Sequence, residues 1–460
     1  MTEGDKRDEA AEAAGRRGSD EPAGAGLPSA PAPSLAPAPS SAPEPSRGPV
    51  STLVRAWLRF WSWQDRRDAP AAERIRRHDE AARGKATRRR AWRRFGLDQF
   101  EMRDAILPTV LVHVGLLVFA PIAVSIFGSE GARAVGPLDI WNHWDGPHFL
   151  EVAARGYDPT GDPARAVLFP LYPVLIRLGS FVLDPLRAAM AISFVASVAA
   201  SVGLYRLVWP GSGRAIARNS VLAFCIFPTA YAFVAPYSQA PFVAFTLWAF
   251  VAARNDQWGR AGVLGMLAAL TRLEGAFLLP ALGIEYLVRR RGRIGLDSLR
   301  ILLVALGPLI FLGINAYAYG SPFFFLDQQK TTFHVQTVAP WDMLGPLAHT
   351  VFAGGSGEYW VTVFLAPLVA FGLLAAVAAW SLLSRHSRLS WAAVTWLNLV
   401  SLVTLSWPIS VPRYLLDAFP IFVAGGWLGR HKSVGGALAT LSVLLLGAFT
   451  TLFALGHWAF

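Results

Sequence analysis

The sequence has 460 residues, of which 53% are hydrophobic and only 16% are charged. Soluble domains average about 25% charged residues, so this composition argues against a soluble globular protein and predicts shielding by lipid. The net charge of +11 does not indicate nucleic-acid binding, because residues 51–96 alone hold fourteen Arg or Lys against five Asp or Glu. The single cysteine, Cys225, excludes an intramolecular disulfide.

The amino-terminal hundred residues differ in composition from the rest of the chain. Residues 1–50 are mostly Ala, Pro, Ser, Gly and Glu, which predicts a disordered cytoplasmic tail and no signal peptide. Residues 51–100 predict an amphipathic, polybasic juxtamembrane segment, since apolar side chains recur at helical spacing from Leu53 to Trp61. Its arginines are placed to contact anionic membrane lipid. Residues 101–460 then form a separate membrane domain.

Apolar runs from about residue 105 predict an all-α transmembrane bundle of about eleven spans. The predicted spans are 105–127, 188–208, 219–234, 240–253, 258–272, 275–288, 299–319, 361–383, 390–408, 414–429 and 434–455. Residues 167–183 are also apolar, but Pro170, Pro173 and Arg177 interrupt them. We therefore interpret 167–183 as re-entrant or interfacial.

Six basic clusters support this topology, because cytoplasmic loops are enriched in Lys and Arg. The clusters are Arg88–Arg94, Arg214/Arg218, Arg254/Arg260, Arg289–Arg293, Arg385/Arg388 and Arg430/Lys432. All six lie on the cytoplasmic side if 167–183 does not cross the membrane. The amino terminus is then inside, the carboxyl terminus is outside, and a long outer loop, 128–187, follows the first span.

The first outer loop contains an aromatic cluster around one carboxylate, Trp141-Asn142-His143-Trp144-Asp145-Gly146-Pro147-His148-Phe149. Aromatic side chains beside a carboxylate can stack on a sugar and exclude water from a general base. They are also typical of an interfacial aromatic belt with a loop-capping Asp. Composition alone favours the second interpretation.

Four motifs resemble those of the GPI-anchor second-mannose transferases and their bacterial relatives, which are membrane glycosyltransferases of the GT-C class. The matching residues are His143-Trp144-Asp145-Gly146 with Gly156-Tyr157 and Phe169-Pro170-Leu171-Tyr172-Pro173; Phe227-Pro228 with Tyr237-Ser238-Gln239; Leu270-Thr271-Arg272 with Gly275; and Pro412-Arg413-Tyr414. Two positions depart from the family pattern, since His143 replaces an Arg and Gln239 replaces a Glu.

The resemblance implies a GT-C-like helical fold and transfer of a sugar, expected to be mannose, from a polyprenyl-phosphate donor to an acceptor hydroxyl on the extracytoplasmic face, with inversion. Asp145 matches the family's motif carboxylate and is the expected catalytic base. Outer-face cations are the candidates for the donor phosphate, and they are Arg413, Arg272 and Lys330. The expected substrate-binding residues are His143, Trp144, His148, Tyr157, Tyr237, Gln239 and His334.

Ordinary alternatives remain for several of these residues. Arg413 could be a snorkelling side chain, and Arg272 could form a structural ion pair with Glu274. We expect no cofactor and no metal, because no second carboxylate stands at ligand spacing from Asp145 and His148. The expected partners are a polyprenyl-phosphate donor, a glycolipid, glycan or protein acceptor, and membrane lipids. The expected location is a bacterial plasma membrane. A lipid or solute transporter and a catalytically silent scaffold are the competing functions.

Overall fold

The computed structural model describes residues 99–460, so the predicted tail and nearly all of the predicted juxtamembrane segment lie outside the described residues. Within residues 99–460 the regular structure is helical, apart from one isolated antiparallel β-bridge between Thr337 and Leu405. The predicted all-α class is confirmed for this part of the chain.

Within residues 99–460, five helices are long and apolar enough to cross a membrane. They are Gln99–Phe127, Pro185–Ser212, Leu296–Tyr319, Gly357–Leu383 and Lys432–Ala454. Each coincides with a predicted span. A shorter apolar helix, Leu389–Val403, occupies a sixth. The chain is therefore an integral membrane protein.

The other predicted spans form shorter helices, and the count of about eleven spans is not confirmed. These helices are Arg214–Cys225, Gln239–Arg254, Trp258–Thr271, Leu278–Arg289 and Pro420–Leu428. A straight crossing needs about 20 residues at 1.5 Å per residue. Pro228 lies in a turn between helices 214–225 and 239–254, and Gly275 lies in the 3-10 turn Leu273–Phe277 between helices 258–271 and 278–289.

The segment predicted as a long outer loop is largely ordered into short helices. They are Glu130–Arg133, Asp145–Arg155 and Leu171–Gly179, with 3-10 turns at Asp139–Trp141 and Pro163–Val167. The interrupted run 167–183 thus holds one nine-residue helix that begins after Pro170. Further along, the polar region before the late helices contains Phe324–Thr331, Pro340–Phe352 and Val411–Tyr414.

Helices in the core of the bundle pack closely where a glycine lies at the contact. Helix 258–271 packs against the 3-10 segment Leu296–Ala305, and a Cβ on Gly262 would overlap the carbonyl oxygen of Arg300. Backbones can approach this closely only at glycine. Helices 185–212 and 239–254 pack together in the same core.

Acidic and basic side chains join several helix ends at one end of the bundle, which we call the basic end. The contacts that define it are Asp104–Arg214 at 2.6 Å, Ser212–His386 at 3.1 Å, Glu285–Arg388 at 3.5 Å and Asp256–Arg289 at 2.7 Å. They bring four of the predicted cytoplasmic clusters together. The family-like motifs gather elsewhere, around Asp145 and Arg413, and we call that region the motif end.

Candidate active site

The first motif presents Asp145 at the start of a helix. Asp145 is the first residue of helix 145–155, and Trp144 before it has φ 56° and ψ −108°. A bulky residue at positive φ is strained and persists only where its surroundings hold it. The free N–H groups and the dipole at the helix amino terminus stabilise a carboxylate there.

Gly146 packs the first motif onto the second. A Cβ at this position would lie 2.8 Å from Pro236 Cγ and 3.0 Å from Asn142 Oδ1. The helix therefore approaches the segment before Tyr237 at a position without a side chain. Any larger residue at this position would require Pro236 or Asn142 to shift.

The first and fourth motifs meet in an ion pair. Asp145 Oδ2 lies 2.6 Å from Arg413 Nη1. The Arg413 side chain is 4% exposed and the Asp145 side chain is 40% exposed. The cation is thus enclosed by protein, whereas the carboxylate remains open to an approaching molecule.

Aromatic rings enclose the Arg413 guanidinium. Its central carbon lies 4.7 Å from the Tyr237 ring centroid and 5.5 Å from that of Tyr414. Cation–π contacts of this kind hold a guanidinium in a fixed orientation. The Arg413 Nε is buried and has no hydrogen-bond partner among the described residues. Thr229 donates to the carbonyl oxygen of Pro412 at 3.1 Å and so fixes the backbone beside it.

A second charged cluster lies next to this pair. Arg272 Nη2 is 3.2 Å from Glu274 Oε1, and Arg272 Nε is 3.2 Å from Asp417 Oδ2. The Nε contact lacks hydrogen-bond geometry, since neither Asp417 oxygen has a hydrogen-bond partner in the described chain, so it is chiefly electrostatic. Arg272 also lies 5.0 Å from the Tyr414 ring, which therefore contacts both guanidinium groups.

His143 and Trp144 contact the last residues of the chain. The His143 ring packs edge-on against Phe453, and the Trp144 ring packs edge-on against Trp458. Trp144 Nε1 donates to the carbonyl oxygen of His457 at 3.2 Å. Burial lowers the pKa of His143, against a hydrogen bond to the Ala454 backbone that raises it. His143 is therefore uncharged at neutral pH, unlike the arginine of the family pattern.

Tyr237 and Gln239 of the second motif are both buried. The Tyr237 hydroxyl donates to the carbonyl oxygen of His143 at 3.4 Å. Burial, and then the charge of Asp145, raise the pKa of Tyr237, so the phenol keeps its proton. Gln239 begins helix 239–254, and its Nε2 has no partner in the described residues.

Comparison with known proteins finds similarity to mannosyltransferases. The chain is 29% identical over 171 residues to the GPI alpha-1,6-mannosyltransferase 2 of Mus musculus, covering 34% of each protein. It is 29% identical over 165 residues to the same enzyme of Cricetulus griseus, covering 33% of this chain and 32% of that one. The resemblance to the GPI second-mannose transferases is confirmed. The match spans about a third of the length of these relatives.

Comparisons with protein-family models and with solved structures give no further information on the site. No protein-family model matches the chain. Among solved structures, an oligosaccharyltransferase of Archaeoglobus fulgidus aligns at 16% identity with a TM-score of 0.39, covering 73% of this chain and 53% of that one. At this TM-score the alignment has no bearing on the site.

The remaining predicted site residues lie in other contacts. Tyr157 donates its hydroxyl to the carbonyl oxygen of Leu168 at 2.6 Å. His148 Nδ1 lies 3.9 Å from Asp162 Oδ2. Lys330 and His334 are exposed. The substrate-binding roles of Tyr157, His148 and His334 and the phosphate-binding role of Lys330 stay predictions.

The segment that carries His334 is joined to the approach to Arg413. The His334 carbonyl oxygen accepts a hydrogen bond from Ser406 Oγ at 3.1 Å. Val338 N donates to the Thr404 carbonyl oxygen at 2.8 Å. Residues 334–338 are therefore held beside residues 404–406, which precede helix 411–414.

Asp417 is the site-region residue that the sequence interpretation missed. It is fully buried and lies four positions after Arg413, inside the predicted span 414–429. Ionisable residues inside apolar spans are rare and usually paired or functional. That signal was available in the sequence and, with Arg272 already singled out, could have predicted the pair.

Proposed function

We propose that this chain is a membrane glycosyltransferase that transfers mannose from a polyprenyl-phosphate donor to an acceptor hydroxyl, with inversion, on the extracytoplasmic face. One observation carries the proposal. A reachable carboxylate, Asp145, stands against an enclosed guanidinium, Arg413, and each belongs to a motif that resembles those of the GPI second-mannose transferases.

Asp145 is placed to act as the general base. As the acceptor oxygen attacks the anomeric carbon, its O–H bond breaks and the proton passes to an Asp145 carboxylate oxygen. The anomeric carbon's bond to the phosphate oxygen breaks in the same displacement, which inverts the configuration. Asp145 is suited to this role because its side chain is 40% exposed, so an acceptor hydroxyl can reach the carboxylate.

Arg413 is the proposed binding residue for the donor phosphate. The departing polyprenyl phosphate takes the electron pair of the broken bond, and negative charge grows on its oxygens. A guanidinium already oriented by two tyrosine rings can stabilise that charge without further ordering. Arg272, joined to Arg413 through Tyr414, adds a second positive charge nearby. Its pairing with Asp417 and Glu274 favours a supporting electrostatic role over direct phosphate contact.

The free protein pairs its base with its phosphate-binding cation. Donor binding therefore has to redirect Arg413 from Asp145 to the phosphate, at least in part. The same movement frees an Asp145 oxygen for the acceptor hydroxyl. Proton acceptance is thus coupled to the presence of donor, which protects against reaction with water.

The function is tested by supplying labelled polyprenyl-phosphate mannose to membranes that contain the full chain. Label should appear in a glycolipid, glycan or protein product, and Asp145→Asn membranes with equal protein content should lack it. Equal labelling with Asp145→Asn would contradict the base assignment. A chain that incorporates no label in any fraction would be the catalytically silent scaffold. Movement of a solute or lipid in proteoliposomes that contain no glycosyl donor would favour the transporter.

Orientation is tested separately by cysteine labelling. Ser433 is exposed beside the Arg430/Lys432 cluster, and Ser356 is exposed at the start of helix 357–383. Cys225 is the single native cysteine and is buried, so the background is low. In intact cells an impermeant thiol reagent should modify Ser356→Cys and spare Ser433→Cys. The opposite pattern would place the motif end in the cytoplasm.

A further inference from the structure

A cavity of about 460 Å³ opens at the basic end, away from the motif end. It lies where the chain leaves helix 278–289, turns, and enters helix 296–319. The residues that line it are Tyr286, Arg289, Arg290, Arg291, Arg293, Ile294, Gly295 and Asp297. We call this the arginine cavity. Four guanidinium groups face a single carboxylate within one turn of chain.

Internal contacts build the floor of the arginine cavity. Tyr286 donates its hydroxyl to Asp297 Oδ1 at 2.5 Å and accepts a hydrogen bond from Gly295 N at 3.0 Å. Arg290 Nη2 lies 2.8 Å from Asp297 Oδ2. The one lining carboxylate is thereby engaged by a phenol and a guanidinium. Its charge is already offset by Arg290, so it opposes an incoming anion only weakly.

The lining of the cavity is positively charged, since it holds four arginines and one aspartate. Arg289 pairs with Asp256, outside the lining, at 2.7 Å. Arg291 and Arg293 are exposed at the rim, and Arg291 has φ 50° in the turn that brings them together. Guanidinium groups converging on one space are suited to bidentate contact with phosphate oxygens.

An apolar ridge runs from the cavity along the helix that follows it. Leu296, Leu299 and Leu302 are 87%, 58% and 54% exposed, and all three lie in the 3-10 segment 296–305. A 3-10 helix has about three residues per turn, so these three side chains form one line. This segment is the first part of helix 296–319, which as a whole is apolar and long enough to cross the membrane.

We propose that the arginine cavity and this ridge form a binding site for an anionic phospholipid. The headgroup phosphate contacts the arginines, and an acyl chain lies along the leucine line. A cationic cavity beside an exposed apolar ridge favours a phospholipid over free phosphate as the ligand. Free phosphate has no apolar part that could contact the ridge. The site is distinct from the proposed donor site, because its residues belong to the basic end.

The test uses the full chain purified in detergent micelles doped with phosphatidylglycerol or phosphatidylcholine, with bound lipid counted by native mass spectrometry. Phosphatidylglycerol should be retained in preference to phosphatidylcholine. Arg291→Gln/Arg293→Gln should weaken its retention by about 25-fold, since each arginine near an anionic lipid surface contributes about fivefold. The single variant Arg293→Gln should lose about fivefold by the same rule.

Arg218→Gln/Arg260→Gln is the matched control. It removes the same charge from two exposed arginines of the predicted cytoplasmic clusters that do not line the cavity. Retention should be nearly unchanged. An equal loss in both double variants would overturn the proposal, because net charge rather than the cavity would then govern lipid retention. Displacement of the lipid by inorganic phosphate in excess would also overturn it and would indicate a free-anion site.

Discussion

Two ion pairs at the basic end are buried in the opposite sense from the Asp145–Arg413 pair at the motif end. At the basic end, the carboxylates of Asp104 and Glu285 are 2% and 1% exposed, while their partners Arg214 and Arg388 are 40% and 15% exposed. At the motif end the order reverses, because Arg413 is enclosed and Asp145 is open. The Asp104–Arg214 and Glu285–Arg388 pairs thus bury the acid, whereas the Asp145–Arg413 pair buries the cation.

The two kinds of pair also differ in how fully they are bonded. Arg214 contacts both oxygens of Asp104, at 2.6 and 3.1 Å, and Tyr205 donates to the same carboxylate at 3.2 Å. Asp145 has a single short contact to Arg413. A fully bonded buried carboxylate has little capacity left for a substrate, whereas a half-exposed one with a single contact does.

This difference separates structural ion pairs from the candidate catalytic one. Breaking a basic-end pair should lower stability, since an uncompensated buried charge is costly. Breaking the motif-end pair should lower turnover more than stability. The following predictions test that division.

The largest effect is expected for Asp145→Asn. This change keeps the size of the side chain but removes the proton acceptor, so turnover should fall by roughly 10²–10⁴-fold. Turnover is measured with labelled polyprenyl-phosphate mannose at saturating donor and is normalised to folded protein. Asp104→Asn is the matched control, and its turnover per folded molecule should be close to that of the unaltered chain. If the two asparagine variants lose turnover equally, the division between the two ends is wrong.

Arg413→Gln should weaken the use of donor. Removing one preorganised donor of charge-stabilising hydrogen bonds typically lowers catalysis by roughly 10²-fold. A steady-state series with varied donor, analysed as kcat/KM, measures this loss. Arg388→Gln, which removes a partly buried arginine from the basic end, provides the comparison. An unchanged kcat/KM for donor in Arg413→Gln would assign the phosphate to other cations.

Much of the fold was predictable from sequence, because long apolar helices have a strong signal. Helix 432–454 matches the predicted span 434–455 within two residues at each end, and helix 99–127 ends where the predicted span 105–127 ends but begins six residues earlier. The sequence does not predict the role of the short helices between Arg214 and Arg289. An apolar run of 12 to 16 residues is equally typical of a half-span and of a buried core helix. Hydropathy does not distinguish lipid from protein as the apolar neighbour.

The candidate site was predictable only as separate motifs. Asp145 and Arg413 were both singled out, but their pairing depends on how Gly146 packs against Pro236, which no local pattern encodes. The opposite burial of the two side chains is likewise a property of the packed bundle. The contact of Trp144 with Trp458 joins residues far apart in the chain and had no sequence signal.

Arg214→Gln should destabilise the protein more than Arg413→Gln. The first variant leaves Asp104, which is 2% exposed, without its main cation, and breaking such a buried pair costs roughly 3 kcal/mol. The second leaves a half-exposed Asp145 that water can solvate, so we expect a loss of about 1 kcal/mol or less. Thermal unfolding of the purified chain in one detergent compares the two variants. A larger loss in Arg413→Gln would mean that the motif-end pair is chiefly structural.

The smallest effect concerns pH and the half-buried His143. Burial lowers its pKa below the ordinary value of about 6.5, so the unfolded chain takes up a proton that the folded chain does not. This contribution to stability is complete above about pH 6.5 and is lost as the pH falls through the lowered folded pKa. The unfolding temperature of the unaltered chain should therefore fall more between neutral and mildly acidic pH than that of His143→Gln. Because every other titrating group is shared by the two proteins, His457 and Glu358 included, the difference between their profiles isolates His143. If the two proteins show parallel curves of unfolding temperature against pH, the pKa of His143 is the same in the folded and unfolded chains. That result would contradict the inference that folding favours uncharged His143.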